Sequence, residues 1–169
     1  MEGNYVPFWL YDMKAYCHYA GTGTRVRVWV SGDTEFTETS YFQVSRDMDV
    51  DFEKLPVDAS LAMEDNVMDL MEPYGYEALE NFRPEYMSGF LGEIYNQDAE
   101  TLEKRARDKA GRDASVMLHN TLNGYTTLIP QQENISLNSI QSSYALLPVW
   151  WYRYSFEGKN YDCFVNGQT

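Results

Sequence analysis

A strict alternation of residue types near the N-terminus runs directly into a tight turn. Between Arg25 and Ser31, three valines share one face of an extended chain, and two arginines and a tryptophan share the other. This period of two is typical of a half-buried β-strand. Ser31-Gly32-Asp33 favours a turn, and residues 34–45 return to β-favouring Thr, Tyr, Phe and Val. The pattern predicts an antiparallel hairpin, with an earlier strand region over residues 5–19 that ends at a turn at Gly21-Thr22-Gly23.

Strand patterns also fill the C-terminal third of the chain. Residues 126–129, 134–137, 144–156 and 159–165 are β-favouring, and Glu157-Gly158 joins the last two segments as a hairpin turn.

Helical patterns separate the two strand regions. Asp58 or Ser60 caps a predicted helix that ends near Glu72, and Leu61 and Met68 lie on its apolar side. Glycines and prolines then break residues 74–96 into short turns, whose aromatic side chains we expect to cover the core.

The longest helix is predicted over about residues 99–122. Asp98 caps it, and Asn123-Gly124 ends it. One side carries charges of alternating sign at four-residue steps, and we expect Leu102, Met117 and a series of alanines to form the buried side.

The order of strands, helices and strands predicts a single α+β domain over residues 1–169. Its mainly antiparallel sheet is built from N- and C-terminal strands and packed by the central helical segment.

The negative charge is concentrated in the middle of the chain. Residues 46–103 hold 16 acidic and 3 basic residues, a net −13, which equals the formal charge of the whole chain. Such a surface repels phosphate backbones and anionic membranes, so direct nucleic-acid binding is not expected. We predict an acidic docking surface for a protein partner, with a purely solubilising face as the alternative. Its residues are Asp47, Asp49, Asp51, Glu53, Glu64, Asp65 and Asp69.

The alternating run from Asp47 to Glu53 also resembles the start of a calcium-binding loop. Phe52 stands where that loop needs glycine, however, and Asp58 stands where it needs a bidentate glutamate. Four carboxylates on the wet face of a short strand are therefore the preferred interpretation.

Few residues suit metal or covalent chemistry. The chain has two cysteines, Cys17 and Cys163, and two histidines, His18 and His119, without the close pairs that a zinc site needs. Reduced thiols are predicted, and a single Cys17–Cys163 disulfide is the alternative. We identify no catalytic, metal-binding or cofactor-binding residue in this chain.

A short motif occurs near both ends of the chain. Pro7, Trp9 and Tyr11 match Pro148, Trp150 and Tyr152 in a Pro-x-Trp-x-Tyr pattern. The match predicts two related strands, neighbours in one sheet, each with proline at its first residue, where no ladder hydrogen bond is lost.

Several stretches together carry a family resemblance. They are Val6–Asp12, Val26–Trp29 with Gly32–Thr39, Glu72–Tyr74, Ser88–Phe90, and Leu146–Trp150 with Asn166–Thr169. In this order they resemble the middle region of uncharacterised bacterial proteins named for a zinc ribbon of the transcription-factor-IIB type.

The resemblance implies a longer polypeptide in which zinc ribbons precede this region and hydrophobic, membrane-spanning segments follow it. Zinc would then belong to the absent N-terminal region, and any membrane contact to the absent C-terminal segments. The family brings no catalytic residues to carry over. We expect a cytoplasmic, non-enzymatic binding or scaffolding domain that contacts a protein partner or other domains of the same polypeptide. The alternatives are a hydrolase with acidic residues in an aromatic-lined cleft, and a nucleic-acid-associated accessory domain that acts through the missing zinc ribbon.

Overall fold

The structure, a computed structural model, describes residues 2–61, 65–92 and 94–168. One sheet contains the strands β1 (Glu2–Ser31), β2 (Thr34–Asp58), β3 (Leu91–Gly92), β4 (Thr127–Phe156) and β5 (Lys159–Asn166). The helices are α1 (Asp65–Asp69) and α2 (Ala99–Asn120), with single 3-10 turns at Tyr76–Ala78 and Pro84–Met87.

The predicted α+β class is wrong, because the molecule is largely β. More than half of the described residues lie in a mostly antiparallel sheet, and α2 is the one long helix among them. The segments predicted as separate short strands run on as strands of 30 residues in both β1 and β4. The residues between those predicted segments also have strand conformation, so the predicted breaks do not occur.

The sheet has the order β2-β1-β4-β5, so N- and C-terminal strands share it as predicted. Both predicted hairpins are present. Gly32, with φ 63°, occupies the first position of the β1–β2 turn, and Glu157 and Gly158 both have positive φ in the β4–β5 turn. Strands β4 and β5 pair from Val149↔Asn166 to Phe156↔Lys159.

Strands β1 and β4 are antiparallel neighbours. The Trp9 ring lies 5.3 Å from the Tyr144 ring, and the Thr126 amide donates to the Thr24 carbonyl, so residue numbers rise along one strand as they fall along the other. The Pro-x-Trp-x-Tyr motifs therefore occupy neighbouring strands. Their prolines lie inside these strands and not at the first residue. The carbonyl of Pro7 accepts from the Ala59 amide, and that of Pro148 accepts from the Gly167 amide.

The turn predicted at Gly21-Thr22-Gly23 is absent, and β1 continues through it. A Cβ atom on Gly21 would lie 2.6 Å from the Ile129 carbonyl oxygen, and one on Gly23 would meet the Tyr125 ring. These glycines serve close approach of neighbouring chain segments, which is the other common reason for glycine inside a strand.

The chain forms two compact units. The first comprises Met1–Asp12, Glu53–Ala106 and Gln141–Thr169, and the second comprises Met13–Phe52 and Arg107–Ile140. In the first unit, one buried cluster combines β1, β4 and the segment around α1. Its members are Val6, Phe8, Leu10, Met68, Met71, Tyr74, Ala145, Leu147 and Val149. The prediction of one domain over residues 1–169 stays a prediction.

In the second unit, burial alternates along β1. Met13, Ala15, Cys17 and Tyr19 are buried, while the residues between them are exposed or half-buried. The part of α2 in this unit buries two alanines and one leucine. Arg107 reaches from the helix to the Leu137 carbonyl of β4. The buried helix residues are Ala110, Ala114 and Leu118.

Helix α2 confirms its prediction closely. The Asp98 carboxylate accepts from the Thr101 amide at 2.8 Å, which caps the helix. Hydrogen bonds from the side chain and, secondarily, from the backbone of Thr101 hold the pKa of Asp98 below its ordinary value. Leu102 and the alanines are buried as expected, but Met117 is exposed. The predicted helix before Glu72 is shorter than expected, because α1 covers five residues; residues 62–64 of that prediction lie outside the described part.

The hairpin end of β1 and β2 is more exposed than predicted. Val26, Val28 and Val30 are 42%, 54% and 66% exposed, and Trp29 on the other face is 40% exposed and stacks on Phe36. The alternation correctly indicated a strand, but neither face of it is buried in the described chain.

Two glycine substitutions test the close approach of β4 to β1. Gly21→Ala is expected to destabilise the protein by about 1–3 kcal/mol, because its methyl group would meet a backbone oxygen. Gly111→Ala adds the same group in α2, where nothing outside the helix backbone lies within 4 Å; we expect a gain of about 0.5–1 kcal/mol. Urea unfolding followed by circular dichroism measures both changes. Equal unfolding midpoints for the two variants would contradict the described packing.

Candidate functional site

The acidic run of β2 forms a ladder of carboxylates on the solvent face of an edge strand. Asp47, Asp49 and Asp51 are exposed, while Met48 and Val50 between them are half-buried. Strand β2 lies at one end of the sheet order. Glu53 continues the alternation as an exposed residue and belongs to the first unit. The predicted wet face is confirmed, and we call Asp47, Asp49 and Asp51 the acidic ladder.

Strand β1 places polar side chains against this ladder. His18 Nδ1 lies 2.7 Å from Asp47 Oδ1, and the Tyr16 hydroxyl donates to the same oxygen at 2.8 Å. Lys14 Nζ lies 3.3 Å from Asp51 Oδ1. None of these three β1 residues was predicted as a partner of the acidic run. Lys14, Tyr16 and His18 alternate in β1 as the acids do in β2, so the hairpin register could have revealed them.

These contacts change the pKa of Asp47 and of Tyr16. Hydrogen bonds from His18 and, secondarily, from Tyr16 hold the pKa of Asp47 below its ordinary value. Asp47 donates nothing in return, so its ionised form is the one that the two neighbours stabilise. The pKa of the Tyr16 hydroxyl rises for the complementary reason, since its proton is bound to a carboxylate.

The remaining predicted acidic residues lie in the first unit or outside the described chain. Asp69 Oδ1 lies 3.3 Å from Arg105 of α2. Asp65 is the first residue of α1, and Glu64 lies outside the described residues. The structure therefore groups Asp47, Asp49 and Asp51 on one exposed face of β2. Asp69 has a basic partner, Arg105, within its own unit.

An open groove of about 580 Å³ lies in the first unit. Its walls are mostly apolar and aromatic, and they come from β1, the segment after the first 3-10 turn, and the middle of β4. The described lining residues are Tyr5, Leu79, Glu80, Phe82, Tyr86, Met87, Gly92, Ile94, Tyr95, Tyr144, Ala145 and Leu146. A groove of this volume lies in the range of small-molecule sites.

The prediction that the aromatic residues of this segment cover the core holds for only some of them. Tyr76 and Leu79 pack against the buried cluster of the first unit. Phe82 is 63% exposed, and Tyr86 and Tyr95 are exposed as well. The Tyr86 hydroxyl donates to the Glu80 carboxylate, and Glu80 is the one carboxylate among the described lining residues.

The two cysteines and the two histidines are the residues best suited to metal or thiol chemistry in this chain. Residues 2–61, 65–92 and 94–168 contain no group of three or more His, Cys, Asp or Glu placed to hold a metal ion. Cys17 and Cys163 are free thiols, as predicted, and burial raises the pKa of Cys17. His119 meets Glu133 through Nε2 at 3.3 Å and Ser115 through Nδ1 at 3.3 Å.

Helix α2 is the longest described helix, and we compared its length and hydropathy with those of a membrane-spanning helix. Among the described helices, none is both long enough and apolar enough to span a membrane.

A curated bacterial protein is clearly similar to this chain. The chain is 38% identical over 169 residues to a protein of Bacillus subtilis (strain 168) named "Uncharacterized protein YdjG". The match includes the whole of this chain and spans about half the length of the relative, 50%. No family model matches the chain, and no solved structure matches it.

The Asp47 contacts generate a test by pH titration. His18→Ala is expected to raise the pKa of Asp47 toward its ordinary value, and Tyr16→Phe is expected to raise it less, because the His18 contact is the larger cause. Carboxyl ¹³C NMR measures both. A lowered pKa means that this contact stabilises the fold above the unfolded-state pKa of Asp47 and loses its effect as the pH falls through the folded-state value. His119→Ala is the control, and an equal shift in that variant would contradict the assignment.

Proposed function

We propose that this chain is a non-enzymatic binding domain that docks a basic, extended protein segment against the edge strand β2. The observation that carries the proposal is the acidic ladder, three exposed carboxylates at alternate positions of an edge strand. The basic segment belongs to a protein partner or to another part of the same polypeptide.

Backbone chemistry supplies the first part of the interaction. An edge strand offers a row of amide and carbonyl groups to an added strand. Strand β2 runs from Thr34 to Asp58, which is long enough to pair with a segment of ordinary strand length. Main-chain hydrogen bonds of this kind provide affinity but do not distinguish one sequence from another.

The carboxylates supply the selectivity. Side chains of an added strand would alternate between the two faces of the sheet, so lysine or arginine at every second position would lie beside Asp47, Asp49 and Asp51. Lys14 and His18 already meet Asp51 and Asp47 from the other side. Asp49 lies between those two pairs in the ladder, at the centre of the proposed contact.

Long-range electrostatics favour the same class of partner. The formal net charge of −13 attracts basic segments and accelerates their encounter with the domain, an effect that salt weakens. The same charge opposes direct binding of nucleic acid.

We also propose a setting for the domain. In the longer polypeptide implied by the resemblance, it lies in the cytoplasm between N-terminal zinc ribbons and C-terminal membrane segments. The relative's length supports this, because half of that protein lies outside the matched region.

Elemental analysis of the full-length relative is expected to find about one or two zinc ions per chain, one for each ribbon. A zinc-free, folded full-length protein would contradict this setting while leaving the ladder proposal intact.

A probe peptide tests the docking mode. A peptide of about ten residues that alternates lysine and threonine is expected to bind the domain, and its affinity should fall as NaCl rises from about 0.02 to about 0.3 M. Asp47→Asn, Asp49→Asn and Asp51→Asn combined should weaken binding at least about tenfold, because the variant cannot form three ion pairs with the peptide. Isothermal titration calorimetry measures the affinities.

The matched control removes three carboxylates from the hairpin end instead. Asp33→Asn, Glu35→Gln and Glu38→Gln change the net charge equally, and all three residues are exposed. This variant should bind nearly as well as the parent. A peptide methylated on its backbone nitrogens should bind poorly, since it cannot donate backbone hydrogen bonds to β2. Equal weakening by both triple variants would reduce the effect to net charge and would overturn the proposed docking site.

A further inference from the structure

The groove of the first unit differs from the acidic ladder in its residues and its chemistry, and the docking of a basic segment on β2 does not involve it. It combines a cavity of about 580 Å³ with a high density of aromatic side chains and a single described carboxylate. We propose that it binds a small organic cation that carries an alkyl or aryl group, such as an alkylammonium ion.

The aromatic wall is held in place by its own contacts. Tyr95 and Tyr144 meet edge to face with centroids 5.5 Å apart, and both pack against Trp9, at 5.6 and 5.3 Å. Trp9 Nε1 donates to the Gln97 carbonyl at 3.0 Å, which fixes the indole. Two rings of this cluster, Tyr95 and Tyr144, line the groove. A ligand would therefore meet a preformed wall, which lowers the ordering cost of binding.

The electrostatics of the groove select a positive charge. The Glu80 carboxylate is among the lining groups, and the Tyr86 hydroxyl holds it by a hydrogen bond. Aromatic faces carry the negative part of a quadrupole and attract ammonium groups. No lysine, arginine or histidine occurs among the described lining residues. The carboxylate and the rings thus act in the same direction, toward a cation and against an anion.

The apolar side chains of the groove favour a ligand that carries a hydrocarbon group as well as a positive charge. Phe82 and Ile94 line it while 63% and 84% exposed, so a ligand that covers them removes apolar surface from water. Leu79 and Met87 extend the same surface. A compact cation such as tetramethylammonium would use only the charged end, whereas an attached chain of several carbons would use both.

Titration with matched amphiphiles tests this inference. Octyltrimethylammonium, below its micelle concentration, is expected to bind and to quench intrinsic tyrosine and tryptophan fluorescence. Octyl sulfate, with the same chain and the opposite charge, and tetramethylammonium should each bind at least about tenfold more weakly. Octyl sulfate binding as tightly as the cation would overturn the proposal, because it would reduce the groove to a nonselective apolar surface.

Single substitutions locate the site. Glu80→Gln should weaken octyltrimethylammonium about tenfold, and Glu77→Gln, an equal charge change at an exposed residue outside the described lining, should alter it less than about twofold. Tyr95→Leu keeps the wall apolar but removes the ring, and it should also lower affinity. Circular dichroism verifies that each variant is folded. Unchanged binding in both Glu80→Gln and Tyr95→Leu would overturn the assignment.

Two further ligands test whether the cation belongs to a lipid headgroup or to a protein side chain instead of a free small molecule. Dihexanoylphosphatidylcholine presents a lipid headgroup, and a lysine peptide presents a side-chain ammonium. Tighter binding of either one than of octyltrimethylammonium would overturn the small-molecule assignment. The variant with all three ladder aspartates replaced by asparagine should bind octyltrimethylammonium normally. Loss of peptide docking and loss of cation binding are therefore separable results.

Discussion

Strand β1 has neighbours on both edges, and this double pairing fixes the positions of the core residues and of the acidic ladder. It lies between β2 and β4 in the sheet, and β3 adds a short parallel pairing at Asn4 and Tyr5. A strand paired on both sides loses its freedom to slip, because a shift of one residue would exchange all of its buried and exposed side chains. The buried residues from Val6 to Tyr19 make such a slip costly.

The acidic ladder is a direct consequence of this register. Asp47 meets Tyr16 and His18, and Asp51 meets Lys14, only because β1 and β2 are aligned through the turn at Gly32. The carboxylates also protect the edge of the sheet, since two β2 strands side by side would bring like charges together. A basic strand suffers no such repulsion. One set of side chains thereby disfavours self-association and admits a partner of the opposite charge.

The groove illustrates a different relation between sequence and site. Sequence reasoning placed the aromatic residues of the segment 74–96 over the core, and this holds for Tyr76. Phe82 and Tyr95 instead stand around an open groove. Irregular backbone has no period that assigns a side chain to one face, so composition alone could not divide these residues between core and surface. The adjoining 3-10 turns are single turns that carry no buried residues.

Local rules of the sequence determined the hairpin turns at Gly32 and Glu157-Gly158, the cap at Asp98, the small-residue face of α2 and the outward direction of the β2 carboxylates. Each of these depends on a few neighbouring residues whose period or turn chemistry is readable in one dimension. Tertiary structure decided the rest. It carried β1 through Gly21 and Gly23, whose role is close approach to residues about a hundred positions away, and it made the fold largely β. It also paired His18 with Asp47 and opened the groove beside Tyr144, since those contacts join segments that no local pattern connects.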